Sequence, residues 1–310
     1  MAFPSPPSHP KQFRKLLIVH NPRSGRRNHH KFRQVVERLR GRDLMIHIQQ
    51  TRFPGHAHDL IRNAQGKDYD LVVVAGGDGT LNDVLSALPH LNLPFALIPL
   101  GTANVFAREI GLDGSVDAIV DTIFSGRLRH MRPGLCEGRE KRLFALMVSC
   151  GLDSHVVHHV NGGLKKWIGA AAYGIKFLHS LLRYPNMACT VTLDGHSHAA
   201  ASVIVSKGRY YGGNFLLAPK GDVFSNNFQV VIFLRTGRLA ALSYAFSLLT
   251  GNLAKRRDVL IRSAHEIRLD AADPHPVQLD GDPAGFLPAT IRLADDSLSC
   301  LVPEGLKDDA

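Results

Sequence analysis

The residues best suited to chemistry lie in "DYDLVVVAGGDGTLNDVLSAL", Asp68 to Leu88, where a β-branched run ends in Gly76-Gly77-Asp78-Gly79-Thr80 and a helical pattern follows at once. Glycine tolerates positive φ and carries no Cβ, so such a turn lets backbone N–H groups come close to a phosphate. A helix starting near Leu81 would aim its unpaired N-terminal N–H groups at the same spot. Asp78 repels phosphate and is better suited to Mg²⁺ or a hydroxyl, while Thr80 can cap the helix or donate to a phosphate. A plain glycine turn capped by Asp78 is the competing explanation. Two similar turns weigh against it: Asn21-Pro22-Arg23-Ser24-Gly25 follows "KLLIVH", and Gly101-Thr102-Ala103-Asn104 follows "PFALIP". Three small, hydrogen-bonding loops at three strand ends make one phosphate-binding floor, which reads as a nucleotide site.

A second candidate is the late turn "QLDGDPAG", with Asp280 and Asp282 between two strand-like runs. Carboxylates on such a turn can serve acid–base chemistry; two aspartates that merely shape a turn are the alternative. His155, His158 and His159 in "DSHVVHHV" have a spacing that can bind metal, but no HExxH pattern, and surface or core histidine is the preferred reading.

These groups need elements to position them. Up to about residue 125, strand-like "KLLIVH", "LMIHIQ", "DLVVVA" and "PFALIP" alternate with helical "HHKFRQVVERLR", "GHAHDLIRNA", "TLNDVLSAL" and "ANVFAREI". Such alternation predicts an open, mainly parallel α/β sheet with crossover helices. After about residue 127 the texture becomes β-rich: "RLFALMVSC", "ACTVTLDG", "HAAASVIVSK", "FQVVIFLR", "DVLIRSA", "EIRLDA", "PVQLDG" and "ATIRLA", interrupted by helical patterns at about 153–183 and 238–250. This predicts a mainly antiparallel, β-sandwich-like second domain with inserted helices. The expected layout is a flexible tail at 1–14, a nucleotide-binding α/β domain at 15–128 and a β-rich domain at 129–296.

The 310 residues are 45% hydrophobic and 21% charged, an ordinary globular balance. Cys136, Cys150, Cys189 and Cys300 are widely spaced with no CxxC pair, which favours a reduced, cytosolic protein over a disulfide framework. The Pro- and Ser-rich start has no apolar core, so it is expected to be neither a signal peptide nor a transmembrane helix. No later run approaches the roughly 18–20 apolar residues that spanning a bilayer needs. Net charge is +10. With no nucleic-acid-binding motif present, nucleic acid is not an expected partner; an anionic phospholipid surface is, with charge for solubility alone as the alternative. The segment "GGLKKWIGAAAYGIKFLHSLLRYP" suits a membrane interface, although a helix packed on its own domain is the more ordinary explanation.

"NPRSG", "GGDGT" and "GTAN", in this order and spacing, resemble the diacylglycerol kinase catalytic family, particularly its soluble bacterial lipid kinases, which are related to sphingosine and ceramide kinases. "VSCGLDSHVV", "GRYYGGNFLLAP" and "VQLDGDPAG" extend the resemblance over nearly the whole chain. The resemblance implies an N-terminal domain like that of NAD kinases and phosphofructokinases, a cleft shared by ATP and lipid, and a last strand at about 297–303 returning to the first domain. It carries nucleotide contact onto Asn21, Pro22, Arg23, Ser24, Gly25, Thr51, Gly76, Gly77, Asp78, Gly79, Thr80, Leu81, Asn82 and Thr102. Relatives read "DGE" where this chain has "DGD", so the proposed catalytic base becomes Asp282, one methylene shorter. Asp78 is the expected neighbour of the Mg²⁺ that travels with ATP, and is counted with Asp282 in the catalytic set. Three acids of the family's structural magnesium network are replaced here by Val105, Arg132 and the Ser225-Asn226 pair, so that site is expected to be absent.

The implied activity is ATP-dependent phosphorylation of a hydroxyl on diacylglycerol or a similar lipid, in the cytoplasm at the inner membrane face, with a homodimer as a candidate assembly. A catalytically impaired nucleotide- or lipid-binding module is the second reading, motivated by the shortened acid and the lost metal network. A soluble NAD kinase is the third; "GTAN" and "LDGDPAG" count against it.

Overall fold

The computed structural model describes residues 13–25, 28–42, 44–159 and 188–306. The chain divides into two compact units, Met1–Arg132 with Asp295–Ala310, and Pro133–Ala294. The amphipathic segment at 162–185 and nearly all of the N-terminal tail lie outside the described residues.

In the first unit, β1 (Lys15–His20), α1 (His29–Arg40), β2 (Met45–Gln50), α2 (His56–Arg62), β3 (Leu71–Gly76), α3 (Asp78–Leu85), β4 (Phe95–Pro99), α4 (Val105–Glu109), α5 (Val116–Ser125) and β5 (Arg127–Met131) follow one another. The last strand of the chain, β20 (Leu298–Val302), joins the same sheet, whose order is β2-β1-β3-β4-β20-β5. All its pairs are parallel except β20 with β5. The β3 residues are buried throughout, as a strand covered by helices on both faces requires. Helix α1 buries Phe32, Val35, Val36 and Leu39, one face at helical spacing. From β1 the chain passes first to β2 on one side and then to β3 on the other. The carboxyl ends of β1 and β3 therefore flank a topological switch point, where open α/β sheets bind ligands.

The second unit is a sandwich. One antiparallel sheet runs β10 (His196–Ala200), β9 (Cys189–Leu193), β16 (Ile267–Asp270), β19 (Ala289–Leu293), β6 (Gly134–Glu137), β7 (Lys141–Phe144). The other runs β15 (Val259–Ala264), β14 (Phe228–Phe233), β11 (Ser202–Ser206), β8 (Met147–Cys150), β17 (Pro276–Leu279), β18 (Asp282–Phe286). A small ladder pairs β12 (Tyr210–Tyr211) with β13 (Phe215–Leu216), and two helices, α6 (Leu152–His159) and α7 (Arg238–Leu249), complete the described part. Val191, Ile267 and Ile291 from one sheet meet Val148, Val203 and Val230 from the other in a single apolar core.

The fold class is thus an α/β unit with a mainly parallel sheet and a unit of antiparallel sheets. The sequence reading has no counterpart for α5, β5, β6 or β18, and three of the boundaries that differ from expectation bear on the site. Helix α3 begins at Asp78, not near Leu81, because Gly77 already accepts the first-turn N–H groups of Thr80 and Leu81. "RLFALMVSC" is two strands, broken at Ala145-Leu146. "HAAASVIVSK" also splits, since β10 and β11 belong to opposite sheets and the chain crosses at Ala201.

Candidate functional site

The three loops of the first unit meet at the carboxyl ends of β1, β3 and β4. Gly77 and Gly101 touch backbone to backbone: a Cβ on Gly101 would stand 2.7 Å from the Gly77 Cα. Leu100 N–H bonds Gly76 O at 2.8 Å, and Asn21 N–H bonds Ala75 O at 2.9 Å. Side chains lock the rest. The Asn21 amide donates to Thr80 Oγ1 at 3.0 Å, and the Asn28 amide donates to Leu100 O at 2.9 Å. Gly25 has a φ of +58°, and a Cβ there would collide with Leu100 O, so the NPRSG turn needs glycine at that point.

Asp78 is the clamp between two loops. Its Oδ2 accepts Val105 N–H at 3.0 Å and its Oδ1 accepts Phe106 N–H at 3.1 Å, capping α4 from a distance of 27 residues along the chain. Burial pushes its carboxyl above the usual range, against the pull of those amide bonds. The geometry therefore gives Asp78 a loop-joining task before any task toward a metal. Thr80 is likewise buried; its hydroxyl faces Asn21 and Gly76 and does not cap α3. Leu81 is buried and its N–H is bonded to Gly77 O, so it packs and offers nothing outward. Thr51 is buried at the end of β2, its N–H bonded to His20 O. Arg23, Gly79 and Thr102 are exposed at the three loop tips, with Pro22 and Ser24 half-buried beside Arg23.

Two amide oxygens near this floor, Asn82 Oδ1 and Asn104 Oδ1, are buried with no hydrogen-bond partner among the described residues. Asn104 sits at φ +46°, its amide donating to Gly101 O at 2.9 Å. Orphaned polar atoms beside a glycine floor that a Cβ would fill are what a polar ligand leaves for itself. His20 adds a third orphan, Nδ1. Its ring stacks on Phe32 at 3.8 Å, and burial, helped by the charge of His29, lowers its pKa to about 4.

In the second unit the DGD turn is a two-residue hairpin between β17 and β18, with Leu279 paired to Asp282 and left-handed φ at Asp280 (+46°) and Gly281 (+86°). The Asp280 carboxylate accepts three backbone N–H groups, from Ala145 at 2.7 Å, Leu146 at 3.0 Å and Met147 at 2.7 Å. That capture breaks the "RLFALMVSC" strand. Asp282 opens the edge strand β18 with its side chain exposed. Behind the turn lies a polar network that sequence patterns did not assign. Gln278 Oε1 accepts Gly281 N–H at 2.7 Å, while its amide donates to Ser149 Oγ and to Asp153 Oδ2, both at 2.9 Å. Asp153 also accepts from Ser149 Oγ at 2.6 Å and from the Tyr211 hydroxyl. Asp153 stands inside "GLDSH", and a strand serine four residues before a helix-opening acid was the available signal.

Residues 15–136 match the family described as "Diacylglycerol kinase catalytic domain", and residues 146–302 match "YegS C-terminal NAD kinase beta sandwich-like domain". The chain belongs to the diacylglycerol kinase catalytic family. It is 26% identical over 281 residues to a diacylglycerol kinase of Bacillus subtilis (strain 168), covering 89% of this chain and 92% of that one. It is 25% identical over 301 residues to a diacylglycerol kinase of Staphylococcus carnosus (strain TM300), covering 95% and 97%. In fold it is similar to a solved diacylglycerol kinase structure from Bacillus anthracis str. Sterne, with a TM-score of 0.72 at 19% identity over 96% of this chain and 100% of that one. It is accordingly a lipid kinase.

Its metal chemistry has to be judged on this chain's own donors. No cluster of three or more His, Cys, Asp or Glu side chains stands together among the described residues. Val105 is buried and lends only its N–H, to Asp78. The Ser225 carbonyl accepts the ammonium of Lys207, a lysine that is fully buried and stands over the Phe228 ring. His158 Nε2 lies 3.1 Å from Val277 O, which commits that ring to the main chain. All four cysteines are buried and free.

Proposed function

We propose that this lipid kinase transfers the γ-phosphoryl group of ATP to a hydroxyl of diacylglycerol or a similar lipid at the cytoplasmic surface of the membrane. The observation that carries the reading is the fusion of three strand-end loops into one glycine floor, with buried amide oxygens at Asn82 and Asn104 left for a ligand. Main-chain N–H groups beside Gly77, Gly79 and Thr102, together with Arg23 and Ser24, are the donors for the phosphate tail. Asp78 keeps that floor in one piece through its bonds to Val105 and Phe106.

Phosphoryl transfer depends mostly on positioning and on charge stabilisation. The substrate oxygen attacks phosphorus as the bond to the ADP oxygen breaks, and Asp282 accepts the hydroxyl proton. An exposed carboxylate at the start of a rigid hairpin suits that task, and Asp280 and Gln278 hold the hairpin's shape. Mg²⁺, arriving with ATP, supplies charge neutralisation on the phosphates; Asp78 is the acid of the floor that can neighbour it. Where the family resemblance implies a structural magnesium, this reading has the resident Lys207 ammonium at Ser225 instead.

Incubation with labelled ATP and a panel of diacylglycerol, ceramide, sphingosine and monoacylglycerol, resolved by thin-layer chromatography, tests the assignment. A labelled lipid is the expected product. Its absence across the panel, with ATP still bound, would favour a binding module over an enzyme.

A further inference from the structure

Helix α7 is apolar on both sides, and its buried side is pinned. Tyr244 OH accepts Arg235 N–H at 3.0 Å and donates to Asp258 O at 3.2 Å. The Arg256 guanidinium lies over the Tyr244 ring at 4.8 Å, bonds Ser243 Oγ at 2.7 Å and Ser247 Oγ at 3.0 Å, and holds Asp258 through two 2.8 Å contacts. On the other side Leu239, Leu242, Phe246 and Leu249 are 83%, 41%, 67% and 61% exposed. At about 100° per residue, those four positions fall within roughly 80° of one another, a single stripe along the helix. The β12–β13 ladder packs beside α7 and adds Phe215 and Leu216, also exposed. A rigid helix that presents contiguous large apolar side chains to water marks a contact surface.

Charge identifies the occupant. Between Asp222 and Asp258 the sequence has no acid. Arg238 stands exposed at the N-terminal end of α7 beside Arg235, which reaches Asp258 at 3.9 Å, and Lys255 and Arg257 stand exposed beyond its C-terminal end. A second copy of this face would bring cations against cations. Residues 160–187 carry Lys165, Lys166, Lys176 and Arg183 with no acid, so that segment is no better matched. Apolar side chains rimmed by cations do match an anionic bilayer, where leucine and phenylalanine enter the acyl boundary and arginine and lysine meet the head-group phosphates.

We infer that the outward face of α7, with Phe215 and Leu216, is the surface by which this kinase docks on an anionic phospholipid membrane. The inference rests on the lipid-kinase reading and gives it a place of contact, on an element separate from the glycine floor and the DGD hairpin.

Sedimentation with vesicles of phosphatidylglycerol mixed with phosphatidylcholine, against phosphatidylcholine alone, tests it, using the full chain and the double variant Leu239→Ser/Phe246→Ser. Both positions are on the exposed side, so the melting temperature should not fall. The wild type should sediment with anionic vesicles, less so at high salt, and the double variant should bind at least tenfold more weakly. Arg238→Glu/Lys255→Glu should weaken binding to anionic vesicles alone. Activity on a short-chain lipid dispersed in detergent separates the two readings: it should be equal in wild type and variants, while activity on vesicle-held lipid falls. Inactivity of every form on dispersed lipid would strike the kinase reading and leave the vesicle data to judge the surface. Unchanged vesicle binding by the double variant overturns the docking surface. So does no vesicle binding by the wild type, or conversion of a dimer to a monomer by the double variant with vesicle binding intact.

Discussion

The carboxylate of Asp280 accepts the backbone N–H of Met147 at 2.7 Å, joining the tip of the β17–β18 hairpin to the first residue of β8. Ala145 and Leu146 donate to the same carboxylate, so one side chain organises three amides and fixes where Asp282 begins its strand. Charge-assisted bonds of this kind contribute about 1.5–3 kcal/mol each before non-additivity. Asp280→Ala should lower stability by roughly 3 kcal/mol or more. Asp280→Asn should cost about 1–2 kcal/mol, because Oδ1 can still serve Leu146 and Met147. Urea unfolding midpoints decide it; an Ala variant within 1 kcal/mol of wild type (about a fifth of a modest domain's stability) would remove Asp280 from this role.

Much of the architecture was legible because it is written in local periodicity. "KLLIVH" is β1 and "HHKFRQVVERLR" is α1, residue for residue, since each pattern is completed by its own neighbours. The glycine loops could be read because turn chemistry is local as well. What escaped depends on distant partners. The break at Ala145-Leu146 is made by Asp280, more than 130 residues on. Asn28 stands directly before α1, yet its amide reaches Leu100 O and makes no cap bond. Asp153 gains its meaning from Tyr211 and Gln278, which no window of sequence around it contains. Asp78 lies in the motif that drew attention first, but its two bonds to α4 could not be inferred from spacing.

The approach of Gly77 to Gly101 makes a steric prediction. A Cβ at Gly101 would sit 2.7 Å from both Gly77 Cα and Asn104 Oδ1, so Gly101→Ala must pry two loops apart. Nucleotide affinity, followed with a fluorescent ATP analogue, should fall at least tenfold. Gly305→Ala, where a Cβ meets open space, is the control and should bind as wild type. Equal binding by both variants would show that the floor is not where the phosphates lie.

His20 predicts an acid-side loss of stability. Its folded pKa is about 4 against an ordinary 6.5, with burial the main cause and His29 the lesser one. The unfolded state therefore takes up a proton between those values while the folded state does not, and stability rises with pH across that window. The stabilisation is complete above pH 6.5 and is lost as pH falls toward 4, by at most about 3 kcal/mol. In His20→Gln the slope of unfolding free energy against pH should flatten there. The slope is the readout, since the baseline also feels the lost stacking on Phe32. An unchanged slope would assign the acid sensitivity to other groups.

Lys207 at Ser225 predicts how the fold responds to chelation. A buried ammonium bonded to the Ser225 carbonyl already supplies positive charge there, and no acidic cluster stands by to hold a second cation among the described residues. The nucleotide-free protein should melt at the same temperature in EDTA and in excess Mg²⁺, while turnover with ATP should still require the ion. A fall of several degrees in EDTA would reveal a structural divalent site after all.

Asp282 carries the sharpest prediction, because its chemistry and its structural cost separate cleanly. The side chain is exposed at the start of an edge strand, where losing a surface contact costs about 1 kcal/mol or less, so Asp282→Ala should remain folded. If this carboxylate takes the proton of the acceptor hydroxyl, the same variant should lose roughly 10²–10⁴-fold in kcat with ATP affinity retained. Asp282→Glu then reports how the shorter acid is used. A reach longer by one methylene matters when a misplacement of about 1 Å can change a rate a hundredfold. Loss of rate in the Glu variant means the hairpin held by Asp280 and Gln278 is built for aspartate; a large gain means the native site is impaired. Retained activity in Asp282→Ala would move the proton acceptor elsewhere and take the proposed mechanism with it.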